Sequence, residues 1–208
     1  MRLAKALAAT LLAMAALAVA AKSVNILMDL TPEPQKKARE GYAVEGRAYH
    51  YRDKRLDARV AYLPPEDRTA WFSKRGLQDP FDGLIKPEDN YAFFSLRLEN
   101  LQREDNVAFT PGSSMFGTAN LVDDVTVYQM FYKENDGEAR LAAAGKAFFF
   151  KALNLPPGQW IERLLLFQYD ETYAVKKVPL VMSSILLGRD GIDLEFSFQA
   201  TFKKEKRR

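Results

Sequence analysis

The chain of 208 residues contains one histidine, His50, and no cysteine. Those two counts restrict its chemistry. Thiol catalysis and thiolate metal sites are absent, and a disulfide framework is absent with them. A serine triad would have to use His50 as its base. The one serine-rich turn, Gly112-Ser113-Ser114-Met115-Phe116-Gly117, lacks the Gly-x-Ser-x-Gly elbow and is not followed by a helical pattern. A zinc site would need His50 with carboxylates alone, an uncommon set for structural zinc. Flanked by Tyr49 and Tyr51 in an alternating segment, His50 reads as a packing or surface residue.

Oxygen ligands are more plentiful. Asp123, Asp124 and Asp136, with Asn120 and Asn135, offer the donors calcium prefers, but without the ligand spacing of a calcium loop they read as a solvated turn. Paired carboxylates could serve glycoside hydrolysis, whose spacing is spatial and not sequential. The sequence shows no phosphate loop, dinucleotide fingerprint or His-Glu-x-x-His motif. The expectation is a protein that is not an enzyme, with no catalytic residue, no metal ligand and no cofactor.

Aromatic residues are the one surplus, with 14 Phe, 9 Tyr and 2 Trp. Most fall on the apolar faces of strand-like segments and read as core. Tyr91 and Phe93 do not. In the run Tyr91–Asn100, Ala92, Phe94, Leu96 and Leu98 make the apolar face, which leaves Tyr91 and Phe93 on the other face beside Ser95 and Arg97. If an inserted helix leaves that face bare, Tyr91, Phe93 and Arg97 form an exposed patch suited to a partner protein or a glycan.

The elements that must position these residues are short. Alternation from Tyr42 to Tyr51 and from Leu56 to Tyr62, across the turn at Arg52-Asp53-Lys54, predicts a hairpin. Pro64-Pro65-Glu66-Asp67 starts a helix carrying Trp71 and Phe72 and stopping at Gly76, and the segment 77–90 is loop by its turn residues. Further strands are expected at Val107–Thr110, Met115–Leu121 and Val125–Tyr132, the last of which fits a helix as well. The helix formers of 138–153 predict a helix, with Phe148-Phe149-Phe150 open to either state. Pro156-Pro157-Gly158 forces a turn before the strand Trp160–Tyr169. Val178–Leu187 and Ile192–Phe202, joined through Gly188-Arg189-Asp190-Gly191, predict an antiparallel hairpin. Seven to nine short strands without alternating βαβ units predict a mainly β fold, an antiparallel β-sandwich with short inserted helices.

Phe94-x-Leu96-x-Leu98-Glu99-Asn100, followed later by Leu155-Pro156-Pro157-Gly158 and the apolar run Leu164-Leu165-Leu166-Phe167, resembles the exported immunoglobulin-like domains of bacterial envelope proteins. The resemblance covers about residues 42–202. It implies an immunoglobulin-like sandwich in which the strand ending in Asn faces a proline-glycine turn that launches a later strand. It implies a compartment more than an activity.

Export is also read from the first residues. Arg2 and Lys5 precede an uncharged run from Ala6 to Ala21, the charged and apolar regions of a secretory signal peptide. Ala18-Val19-Ala20 places cleavage before Ala21, and Val19-Ala20-Ala21 places it before Lys22. A spanning helix needs roughly 20 predominantly apolar residues, more than this Ala-dominated run offers. The expected organisation is a signal peptide at 1–21, a lead-in with one or two helical turns at 22–41, a sandwich domain at 42–202 and a basic, frayed tail at 203–208. No transmembrane segment is expected after cleavage.

Charge excludes one partner class. Of 30 basic residues, two lie in the first five positions and five in the last six, which also hold one of the 27 acidic residues; residues 22–202 are left with 23 basic and 26 acidic. A nucleic-acid binder carries its positive charge on the folded surface. The expectation is therefore a periplasmic or secreted, non-catalytic binding or structural domain of the cell envelope with a protein or envelope component as partner. A carbohydrate-binding module and a carboxylate-dependent hydrolase are the alternatives.

Overall fold

The structure is a computed structural model, and it describes residues 23–33, 39–170 and 174–206. The expected leader with Ala20 and Ala21, and the middle of the helical turn expected before Gly41, lie outside these residues. The described chain is mainly β, built from antiparallel sheets.

The smaller sheet has five strands: β2 (Tyr42–Glu45), β3 (Ala48–Arg52), β4 (Leu56–Leu63), β5 (Tyr91–Asn100) and β10 (Trp160–Gln168), in the order β10-β5-β4-β3-β2. The expected strand from Tyr42 to Tyr51 is divided by a turn at Gly46, whose φ of 61° is the left-handed value that favours glycine. The larger sheet has seven strands: β1 (Ser23–Pro32), β6 (Val107–Phe109), β7 (Ser114–Phe116), β8 (Ala119–Asn120), β9 (Leu153–Leu155), β11 (Lys177–Leu187) and β12 (Asp190–Lys206). Its spine is β1-β12-β11. The far edge of β11 is shared end to end, with β7 on Leu180–Met182 and β6 on Ile185–Leu187. A register shift between Met182 and Ile185, where Ser184 sits at φ 61°, separates the two partners.

The main core lies between the sheets. Alternation on β5 sends Phe94, Leu96 and Leu98 inward, and on β12 it sends Leu194, Phe196 and Phe198 inward to meet them. Phe94 sits at the centre, with ring centroids 5.1 Å from Phe116 and 5.2 Å from Phe198. Tyr49 spans the gap as well, its hydroxyl donating to the Ser197 carbonyl at 2.5 Å.

β1 is a full strand of the larger sheet where the sequence predicts a lead-in. It pairs with β12 from Ser23 opposite Lys206 to Pro32 opposite Phe198. An irregularity at Met28 puts Leu27 and Leu30 on the same face, so both enter the core while Met28 is exposed. The same pairing makes the described part of the basic tail, residues 203–206, strand in this sheet.

Three helices, α1 (Pro65–Ser73), α2 (Asp124–Phe131) and α3 (Gly137–Ala147), take part in a second apolar cluster on the outer face of the smaller sheet. Leu63, Phe93, Leu164 and Leu166 from β4, β5 and β10 meet Phe72, Val127, Phe131 and Ala144 from the helices there. Phe81 sits at its centre, 5.1 Å from Phe131 and 5.6 Å from both Phe93 and Phe148. The segment Val125–Tyr132, open between strand and helix in the sequence, is thus helical. Asp123 caps it by accepting from Thr126 N at 2.7 Å, and Val127 and Phe131, four residues apart, form its buried face. The helix expected over 138–153 ends at Ala147. Phe148 is extended and points into the helical cluster, while Phe149 belongs to the main core and donates its N–H to the Leu164 carbonyl at 2.9 Å.

Asn100 and the proline-glycine turn are joined through their backbones. Gly158 N donates to the Asn100 carbonyl, and Asn100 N donates to the Gln159 carbonyl, both at 2.9 Å. The fully buried Asn100 side chain donates to the Leu155 and Asp105 carbonyls, each at 2.9 Å, and accepts from Gln102 N.

Candidate functional site

The helices cover one half of the outer face of the smaller sheet. The other half is polar, and its composition follows from strand register. One row across the strands reads Ala43, His50, Arg59, Arg97 and Glu162, and the next reads Arg52, Asp57, Glu99 and Trp160. These side chains alternate with the buried set of each strand and therefore face away from the main core.

Trp160 is the large apolar group on this face, 58% exposed. The Arg97 guanidinium lies 4.7 Å from its ring centroid and pairs with Glu99 at 2.9 Å. Such a stacked guanidinium is held by the ring's negative face, worth about 0.5–1 kcal/mol where solvent reaches it. Beside it, Glu162 accepts from the Ser95 hydroxyl at 2.6 Å and pairs with Arg75 at 2.7 Å, and Arg75 stacks on Trp71 at 3.7 Å. Toward β2, His50 bridges two carboxylates, with Nε2 2.8 Å from Asp57 and Nδ1 3.3 Å from Glu45; Arg52 also reaches Asp57, at 3.4 Å. The face therefore mixes both signs, with most carboxylates already held by a cation or a hydroxyl.

Of the three residues expected in an exposed patch, Phe93 is buried and Tyr91 and Arg97 are half-buried, with the Arg97 side chain 43% exposed. Phe93 is 3% exposed, packed on Phe81 and Phe148, with the Arg68 guanidinium 5.0 Å from its ring. Tyr91 is half-buried, its hydroxyl 3.9 Å from Met130 Sδ, and burial followed by the charge of Asp89 raises its phenol pKa above the ordinary value. The physical reason is cover, because the apolar helix faces seek the apolar end of this sheet face and take Phe93 with them. Arg97 remains accessible on the bare half. The residues missed in the sequence are Trp160 and Arg75. Trp160 is the first residue of its strand, where an aromatic at the end of a sheet escapes cover, and only the register of β10 on β5 brings it beside Arg97.

Among the other candidate groups, Ser113, Asp123 and Asp136 have structural partners. Ser113 donates to the Ser183 carbonyl at 2.6 Å, fastening its turn to β11, and Ser114 is buried. Asp123 caps α2, and Asp136 pairs with Arg140 at 2.8 Å. Hydrogen bonds from Thr126 in the first case and from Arg140 in the second hold these carboxyl pKa values below the usual 3.8. Among the described residues no three His, Asp or Glu side chains are grouped to hold a metal ion, and no helix is long and apolar enough to cross a membrane.

Comparison with known protein families, curated proteins and solved structures finds no match to this chain.

Proposed function

We propose that this chain is an exported, non-catalytic β-sandwich of the immunoglobulin-like kind. In this reading it acts in the periplasm or outside the cell, docking an envelope protein on the bare half of its smaller sheet, with Arg97 and Trp160 at the centre. The observation that carries the reading is the exposed Trp160 with Arg97 stacked on it, on a rigid sheet face ringed by charged residues. Trp and Arg are the residue types that dominate interface energies, and a polar rim around them is the usual arrangement. The charged and apolar pattern of residues 1–21 supports export. The junction of Asn100 with Gly158 supports the immunoglobulin-like resemblance. The balance of Arg52, Arg59, Arg75 and Arg97 against Glu45, Asp57, Glu99 and Glu162 argues against a nucleic-acid partner.

The test is site-specific photo-crosslinking in the native envelope, with the probe at Arg52 or Glu99 and a control probe at Ser197 on the larger sheet. The expected result is a discrete adduct from Arg52 and Glu99, weakened at least tenfold by Trp160→Ala with Arg97→Ala and absent from Ser197. Adducts that ignore the double substitution, or that come equally from Ser197, would overturn the reading.

The exposed indole also favours a second reading, a carbohydrate-binding module in which a sugar ring packs on Trp160. Binding to a glycan array that is abolished by Trp160→Ala supports it, and a blank array removes it.

A further inference from the structure

A cavity of about 300 Å³ opens between α2, α3 and the segment Phe148–Lys151, away from the bare sheet face. Its floor is apolar, made by Val127 of α2, Leu141 and Ala144 of α3, and Phe148 and Phe150. The two phenylalanine rings are stacked, with centroids 5.6 Å apart and planes 17° from parallel. Lys151, Arg163 and Asp124 complete the lining. This size is at the lower end for small-molecule sites, roughly 300–1,000 Å³, and an apolar wall with a few polar groups is their usual make-up.

Two features set this cavity apart from a packing defect. The first is charge. Arg55, Arg68, Arg97 and Arg140, the other half-buried arginines among the described residues, pair with carboxylates, whereas half-buried Arg163 and exposed Lys151 form no ion pair among those residues. The second is Gly145, which lies inside α3 on the cavity wall. Its backbone is ordinary helix, and a Cβ built there meets no atom within 4 Å. Alanine would favour the helix more, so neither backbone geometry nor crowding calls for glycine, and its effect is to keep the cavity open.

We infer that this cavity binds a compact apolar molecule carrying one carboxylate, with the apolar body over Phe148 and Phe150 and the carboxylate on Arg163 and Lys151. Two cations against the single Asp124 leave the lining one positive charge in excess, which suits a monoanion and penalises a cation. The guanidinium of Arg163 offers the fork that matches a carboxylate.

Calorimetric titration of the purified protein tests this with 2-naphthoate and decanoate, which separate an aromatic from an aliphatic body, and with 2-naphthol, decanol and decylamine, which change the head group. At least one carboxylate is expected to bind ten times more tightly than its neutral counterpart and than decylamine. Arg163→Gln with Lys151→Gln should erase that preference. Gly145→Leu should abolish binding while leaving the thermal midpoint unchanged or higher, which distinguishes a filled cavity from an unfolded protein. Failure of both carboxylates to bind, equal binding of alcohol or amine, or full binding by Gly145→Leu would overturn the inference.

Discussion

The side-chain oxygen of Asn90 accepts a hydrogen bond from the backbone N–H of Leu27 at 2.8 Å, across 63 positions of sequence. Its amide nitrogen donates to the Asn25 carbonyl at 2.7 Å, and its own carbonyl accepts from Tyr169 N at 2.9 Å. A single side chain thus imitates a neighbouring strand along the edge of β1, at a left-handed φ of 53°. Asn90→Gly keeps the backbone comfortable but leaves the Leu27 N–H without its acceptor, and is expected to cost about 1–3 kcal/mol in urea unfolding. Asn90→Ala should cost about 1–2 kcal/mol more, because alanine also resists that φ. A neutral Asn90→Gly would show that β1 is held by β12 alone.

Arg68 and Asp79 form the most deeply buried ion pair among the described residues. Their nitrogen and oxygen are 2.5 Å apart, with the aspartate side chain 3% exposed. Asp79 also accepts from Phe81 N at 2.9 Å, which fixes the turn that delivers Phe81 to the helical cluster. Arg68→Met strands a buried carboxylate and is expected to lower stability by about 3–5 kcal/mol. Adding Asp79→Asn removes the orphan charge and retains an acceptor for Phe81, so the double variant should recover much of the loss. A double variant as unstable as Arg68→Met would contradict this account.

Asp123 and Asp136 predict a response to acid. Their folded pKa values lie below the ordinary 3.8. Their contribution is therefore complete above that value and is lost as pH falls below it through the folded pKa. Below about pH 4 stability should decline, and Asp123→Asn with Asp136→Asn should flatten that decline in a pH series of urea titrations. In alkali the sign reverses for tyrosine. Burial raises the phenols of Tyr42, Tyr49, Tyr51 and Tyr62 above 10.0, so their contribution is full below pH 10 and falls as pH rises beyond it. A pH series with no loss on either side would refute both assignments.

What could be read in the sequence depended on how far each residue's role was set by its neighbours in the chain. Tyr91–Asn100 and the hairpin from Val178 to Phe202 carry long alternation and turn residues, and they form as their pattern dictates. β1 was hidden because the bulge at Met28 breaks the alternation that Leu27 and Leu30 would otherwise show. Phe148 and Phe149 look alike in sequence yet enter different clusters, which depends on the edge of β10 accepting the backbone between them. The bare face was legible only in part. Arg97 follows from alternation within its own strand, whereas the loss of Phe93 to helix cover and the arrival of Trp160 are long-range events without a local signal.

The pairing of Ser23 with Lys206 places the two ends of the described chain side by side on neighbouring antiparallel strands. A force applied between those ends would pull β1 and β12 apart crosswise, loading their hydrogen bonds one pair at a time from the outermost inward. The sheet would open as a zipper and not resist as a shear clamp, so a fold held by two large aromatic cores would still yield to modest tension along this one axis.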